Sequence, residues 1–101
     1  DMSDKTTRLE ILCQRIQATY GCKNKDYGDS FGKTFQKYGI ISALTRMSDK
    51  WNRIETLATG KKNLVSDDSL EDTLMDMACY CLMTVIEIED AKKDGRWFDH
   101  D

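Results

Sequence analysis

The sequence predicts an all-α protein: a compact helical bundle of three long helices plus one short helix, forming a single domain over residues 1–101 with a C-terminal tail at 94–101. Three observations carry this expectation. Apolar residues recur at helical spacing along three separate stretches, and no stretch alternates apolar with polar as a half-buried strand does. The chain has no proline and only six glycines, so long helices meet few breakers. The last stretch, Asp68–Lys93, sustains the helical pattern for about seven turns at 3.6 residues per turn.

The first helix is expected near residues 4–20. Ser3 or Asp4 can cap it, and Leu9, Leu12, Cys13, Ile16 and Tyr20 share one face. Gly21 is expected to end it by supplying a left-handed residue. The segment Lys23-Asn24-Lys25-Asp26-Tyr27-Gly28-Asp29-Ser30-Phe31 then combines turn formers with two lysines and two aromatics. It reads in two ways. It is a solvated connection whose Tyr27 and Phe31 plug the core, or it is a binding loop in which Lys23 and Lys25 hold phosphates and Tyr27 stacks on a base.

The short helix is expected near 31–38, with Phe31, Phe35 and Tyr38 on one side and Gly39 closing it. The next helix, near 40–58, carries Ile40, Leu44, Met47, Trp51 and Ile54 as its core stripe. Arg46, Asp49 and Arg53 share the reverse face. They form either an Arg-Asp-Arg ladder in water, worth a few tenths of a kcal/mol per pair, or a polar face that meets the acids of the last helix. Thr59 to Asn63 is a turn.

The last helix, near 69–93, organises the chain. Ser69 is its N-cap, and Glu71 and Asp72 lie against the positive end of the helix dipole. Leu70, Leu74, Met77, Cys81, Val85 and Ile88 form its expected core stripe. Asp72 and Asp76 stack on another face, which Cys79, Met83 and Ile86 continue. A helix apolar on nearly all sides beyond Met77 is expected to lie between several partners, so the chain should form an oligomer, most simply a dimer. Gly95 ends the helix. Trp97 and Phe98 then dock on the bundle or on a second subunit, or the tail is mobile.

Composition removes several function classes. A net charge of -3 argues against direct nucleic-acid binding. No stretch approaches the roughly 20 apolar residues of a membrane span, and no signal-peptide pattern opens the chain. The four cysteines make no CxxC pair and the single histidine is His100, a poor set for zinc and for any His-based nucleophilic device. Reduced thiols and a cytoplasmic protein are expected.

Carboxylates and basic side chains remain. In helical bundles, carboxylates from facing helices build sites for hard cations, and Mg²⁺ also takes water and substrate phosphates. Asp49, Asp72 and Asp76 are the candidate ligands, with Asp68 and Glu71 in reserve. Arg46, Arg53, Lys23 and Lys25 are candidates to neutralise phosphate oxygens. The competing reading leaves Asp72 and Asp76 facing water near the helix start.

The segments KNKDYGDSF, KYGI, RMSDKWNRIETL and DDSLEDTLMDMACY together resemble the nucleotide modification associated domain 1 family, small proteins common in bacteriophages and prophages, over about Leu9 to Glu87. That resemblance implies nucleotide handling in an infected or lysogenic bacterial host. A more remote likeness is to MazG-type all-α nucleoside triphosphate pyrophosphohydrolases, whose E-x-x-E and E-x-x-D pairs hold Mg²⁺. Here Asp72 and Asp76 match the second pair only approximately, and Asp49 alone stands for the first, with Arg53 where a second acid belongs. The expected function is Mg²⁺-dependent hydrolysis of a (deoxy)nucleoside triphosphate to monophosphate and pyrophosphate, with Asp49, Asp72 and Asp76 catalytic and Lys23, Lys25, Tyr27, Arg46 and Arg53 binding substrate. The alternatives are a non-catalytic nucleotide-sequestering protein and a helical interaction protein that blocks a host defence factor.

Overall fold

The computed structural model describes residues 2–60 and 69–97, without the side chains of residues 2, 3, 22, 23, 26 and 27. Four helices make up the fold: α1 (Met2–Tyr27), α2 (Ser30–Tyr38), α3 (Ile40–Thr59) and α4 (Ser69–Lys93). There is no strand among the described residues, so the all-α class holds. The chain divides into two compact units, residues 1–30 and 31–101.

The first unit holds α1, which corrects the expected boundary. The helix does not stop at Gly21 but runs on to Tyr27, so most of the expected 23–31 loop is helical. One mid-helix glycine costs only about 1 kcal/mol relative to alanine, which is too little to end a helix by itself. The stop comes where two consecutive residues turn left-handed, Gly28 (φ 59°) and Asp29 (φ 57°). There the Asp29 N–H donates to the Asn24 carbonyl at 3.2 Å, the long closing bond of a Schellman end. Asp4 and Arg8 pair across one turn at 3.6 Å.

The second unit is organised by α3 and α4, which run antiparallel: Met47 lies beside Cys81 and, one turn further along α3, Lys50 meets Asp76. α2 leads into α3 through Gly39, whose φ of 72° is left-handed and so favours glycine. Phe31, Phe35 and Ala43 form the core cluster, with Ile40, Met47, Tyr80, Met83, Ile88 and Trp97 packed around it. Tyr38, expected beside the two phenylalanines, is exposed instead. α4 ends as expected at Gly95 (φ 71°), where Arg96 N–H reaches the Ala91 carbonyl at 2.7 Å. Trp97 docks on its own unit's core; Phe98 lies outside the described residues.

Both core stripes hold in part: Ile40, Met47 and Ile54 on α3 and Ile88 on α4 are buried or packed on the core as expected, and other members are not. On α3 the most deeply buried side chain is Ala43, at 0 % exposure, followed by Ile54, whereas Leu44 and Trp51 are about half exposed. On α4 the buried residues are Thr73, Thr84, Glu87 and Ala91, while Leu74, Cys81 and Val85 are exposed. Small side chains, Ala43, Thr73, Thr84 and Ala91, are thus buried beside the larger Ile54 and Glu87. The threonines fit there because their hydroxyls are satisfied within α4: Thr73 donates to the Ser69 carbonyl and Thr84 to the Tyr80 carbonyl, both at 2.7 Å. Once back-bonded in this way, a threonine imposes no polar desolvation cost on its neighbour.

Two edges flank the seam. Met47 and Cys81 mark one, and the helical neighbours of each extend it: Leu44 and Trp51 on α3, Leu74 and Val85 on α4. Lys50 and Asp76 mark the other, extended by Arg46 and Arg53 on α3 and by Asp72 on α4.

Candidate functional site

The polar edge is the candidate site, and α3 supplies its cations. Arg46, Lys50 and Arg53 fall at spacings of four and three, so their heads line one side of the helix. Arg46 is half-buried, its guanidinium carbon 5.8 Å from the centroid of the Phe31 ring. Phe31 in turn leans on Tyr80, with ring centroids 5.9 Å apart and planes inclined at 34°. A guanidinium held over a ring loses less freedom on binding a ligand than one swinging in water, and its edge N–H groups remain available. Lys50 donates to Asp76 Oδ2 at 3.0 Å, both side chains partly exposed. Arg53 is exposed.

The expected Arg46–Asp49–Arg53 ladder does not form. Asp49 is exposed, and among the described residues none of the three makes an ion pair. The acid that α3 engages is Asp76, through Lys50. Asp72, one turn before Asp76, is exposed. Asp49, Asp72 and Asp76 do not gather into one group: among the described residues no three carboxylate, thiol or imidazole side chains cluster to hold a metal ion. Glu71 is exposed at the start of α4, and Asp68 lies outside the described residues. Lys25 is exposed in the last turn of α1. Lys23 and Tyr27 belong to the same helix, but their side chains lie outside the described residues.

Sequence reasoning missed two members of this edge. Lys50 passes unnoticed because it sits three residues after Met47 and four before Ile54, a seam position where an apolar residue is expected. That mismatch is itself the signal: a charged residue in an apolar register needs a partner on the facing helix. Phe31 was read as a core plug, which it is, but its face also carries Arg46.

The edge offers oxygen ligands from Asp72 and Asp76, the donor type that suits a hard cation such as Mg²⁺. It also offers two guanidiniums that have no carboxylate partner among the described residues, a donor set suited to phosphate. No helix among the described residues is long and apolar enough to cross a membrane. The family model described as nucleotide modification associated domain 1 matches residues 23–88, from the end of α1 through most of α4. No curated protein and no solved structure matches the chain.

Proposed function

Since this chain belongs to the nucleotide modification associated domain 1 family, we propose that it binds a nucleotide along the polar edge of the α3–α4 hairpin and hydrolyses it with Mg²⁺. The observation that carries this reading is a pair of guanidiniums with no carboxylate partner among the described residues, Arg46 over Phe31 and Arg53 two turns along, on the same edge as Asp72 and Asp76. Arg46 and Arg53 receive phosphate oxygens, and Lys50 adds a third positive charge.

Asp72 and Asp76 would hold Mg²⁺. One or two carboxylates suffice when substrate phosphates complete the shell, so three gathered acids are not required in the free protein. When bound, the ion neutralises phosphate charge and lowers the cost of attack on phosphorus. In the proposed reaction water adds at the α-phosphorus and the bond to the bridging oxygen breaks. Pyrophosphate leaves, the monophosphate remains and the water proton passes to solvent. The guanidiniums stabilise charge that grows on the phosphoryl oxygens. A bacteriophage setting in the host cytoplasm and self-association belong to the same proposal.

One observation favours a second reading. Lys50 already neutralises Asp76, and a carboxylate so paired is a weaker metal ligand, which suits a protein that sequesters a nucleotide without turning it over. Thermal stabilisation by nucleoside triphosphates, with and without Mg²⁺, combined with pyrophosphate release, separates the two. Asp76→Asn keeps shape and removes charge. Hydrolysis predicts that it abolishes Mg²⁺-dependent turnover with the fold intact; nucleotide binding with no turnover in the wild type selects sequestration. An absence of stabilisation by every nucleotide would reject both.

A further inference from the structure

Because α3 and α4 run antiparallel, side chains of the polar edge stand in rungs. Lys50 on Asp76 fixes one rung. Arg46 lies four residues before Lys50, and Tyr80 four residues after Asp76. Each is therefore displaced by about 6 Å in the same direction, at 1.5 Å per residue, and Arg46 stands level with Tyr80. A second observation joins them. The Arg46 guanidinium carbon is 5.8 Å from the centroid of the Phe31 ring, and the Tyr80 ring is 5.9 Å from the same centroid. In the other direction the next rung brings Arg53 level with Asp72, both exposed.

The two ends of the edge differ in chemistry. The Arg53–Asp72 end carries both signs of charge. The other end carries a guanidinium that is in no ion pair among the described residues, with a phenol beside it. Tyr80 is half-buried and its ring packs on the core cluster. Its hydroxyl bonds to no other described residue, and among those residues no buried side-chain oxygen lacks a partner, so this hydroxyl reaches water. A tyrosine held by its ring with a wet tip loses little freedom when that tip donates a hydrogen bond. A neutral donor beside a fixed cation suits an oxyanion. The end is not open to a base on the Phe31 side, because Phe31 is buried and its face already carries Arg46.

We infer that Tyr80 is a further binding residue of the polar edge, its hydroxyl donating to the same phosphate group that Arg46 receives. This rests on the reading of that edge as a phosphate site and adds a direction to it. The phosphate held by Arg46 and Tyr80 lies toward α2, and the cation held by Asp72 and Asp76 lies toward the start of α4. Phe31 supports both donors from below, so one buried ring sets the spacing between the guanidinium and the phenol.

Inorganic triphosphate is the probe, because it has neither base nor sugar, and it is titrated into the full chain by calorimetry without metal. Tyr80→Phe keeps the ring on Phe31 and removes only the hydroxyl. It should weaken triphosphate binding about tenfold, the scale of one hydrogen bond to a charged group, with helical circular dichroism and the urea midpoint unchanged. Since no charge is removed, the salt dependence of binding should stay at the wild-type value, whereas Arg46→Gln should lower it. The double variant should lose less than the product of the two single losses, as expected for two donors on one phosphate. If Tyr80→Phe binds triphosphate as wild type does while Arg46→Gln binds it more weakly, Tyr80 is not a ligand and the polar-edge reading stands. A lowered urea midpoint in Tyr80→Phe shows a structural role for the hydroxyl and overturns the inference. Independent losses in the double variant overturn the shared phosphate. If the four deoxynucleoside triphosphates are weakened by Tyr80→Phe and inorganic triphosphate is not, Tyr80 touches sugar or base and the assignment to phosphate is overturned. A wild type that binds neither triphosphate nor any of those nucleotides rejects this inference and the polar-edge reading together.

Discussion

The two edges of the α3–α4 hairpin are made from the same pair of helices and share one seam, yet they present opposite chemistry. On one edge the contact between helices is an ion pair, Lys50 to Asp76 at 3.0 Å, flanked by Arg46, Arg53 and Asp72. On the other it is a contact between sulfur atoms, Cys81 Sγ to Met47 Sδ at 3.8 Å, flanked by Leu44, Trp51, Leu74 and Val85. An amphipathic helix is usually divided into an inside and an outside. On α3, Ala43 and Ile54 are buried, Leu44 and Trp51 face one side, and Arg46 and Arg53 face the other. The lesson is that large apolar side chains can lie outside the seam while small or polar ones, Thr73, Thr84 and Glu87 among them, are buried.

That comparison can be broken at the seam and sharpened at the edges. The largest effect is expected from the aromatic core that both edges lean on. Phe35→Ala, at a site 3 % exposed, should lower unfolding free energy by about 3–5 kcal/mol, measured by urea denaturation. A loss below about 1 kcal/mol would mean that the core does not hold the hairpin. Next, Ala43→Leu forces a large side chain into the tightest point of the seam, and about 1–3 kcal/mol should be lost. If that variant is instead stabilised, the seam contains room and the size argument fails. The smallest expected stability change lies on the polar edge. Lys50→Met removes a partly exposed ion pair and should cost no more than about 1 kcal/mol, while weakening nucleotide binding measured by calorimetry. Lys50→Met with nucleotide affinity unchanged would remove Lys50 from the proposed site.

Much of the fold was legible in the sequence, and the reasons are local. The bounds of α2, α3 and α4 follow from Gly39, Gly95 and helical spacing, and the structure places them within a residue of expectation. The end of α1 was misread because Gly21 looks like a stop, although it takes the left-handed pair Gly28 and Asp29 to make one. Part of each core stripe differs from expectation for a tertiary reason. Leu74, Val85, Leu44 and Trp51 are the large apolar residues and so were assigned inward. Nothing in one helix alone reveals that Thr73 and Thr84 hide their hydroxyls against their own carbonyls. At the site, Arg46, Arg53 and Asp76 share an edge as the residue types suggested. Asp49 turned out exposed, and Lys50 took the place opposite Asp76, because register across a helix pair is a property of both sequences together.

The small residues in the seam have a mechanical consequence. Ala43, Thr73, Thr84 and Ala91 leave stretches of that surface low beside Ile54 and Glu87. Low stretches specify separation and direction better than they specify axial position. What indexes α4 along α3 is then a pair of catches, Lys50 on Asp76 at one edge and Met47 beside Cys81 at the other. One turn of slippage, about 5.4 Å, would pull both catches apart. The ion pair thus acts as a detent that fixes how far along the hairpin the guanidiniums of one helix stand from the carboxylates of the other.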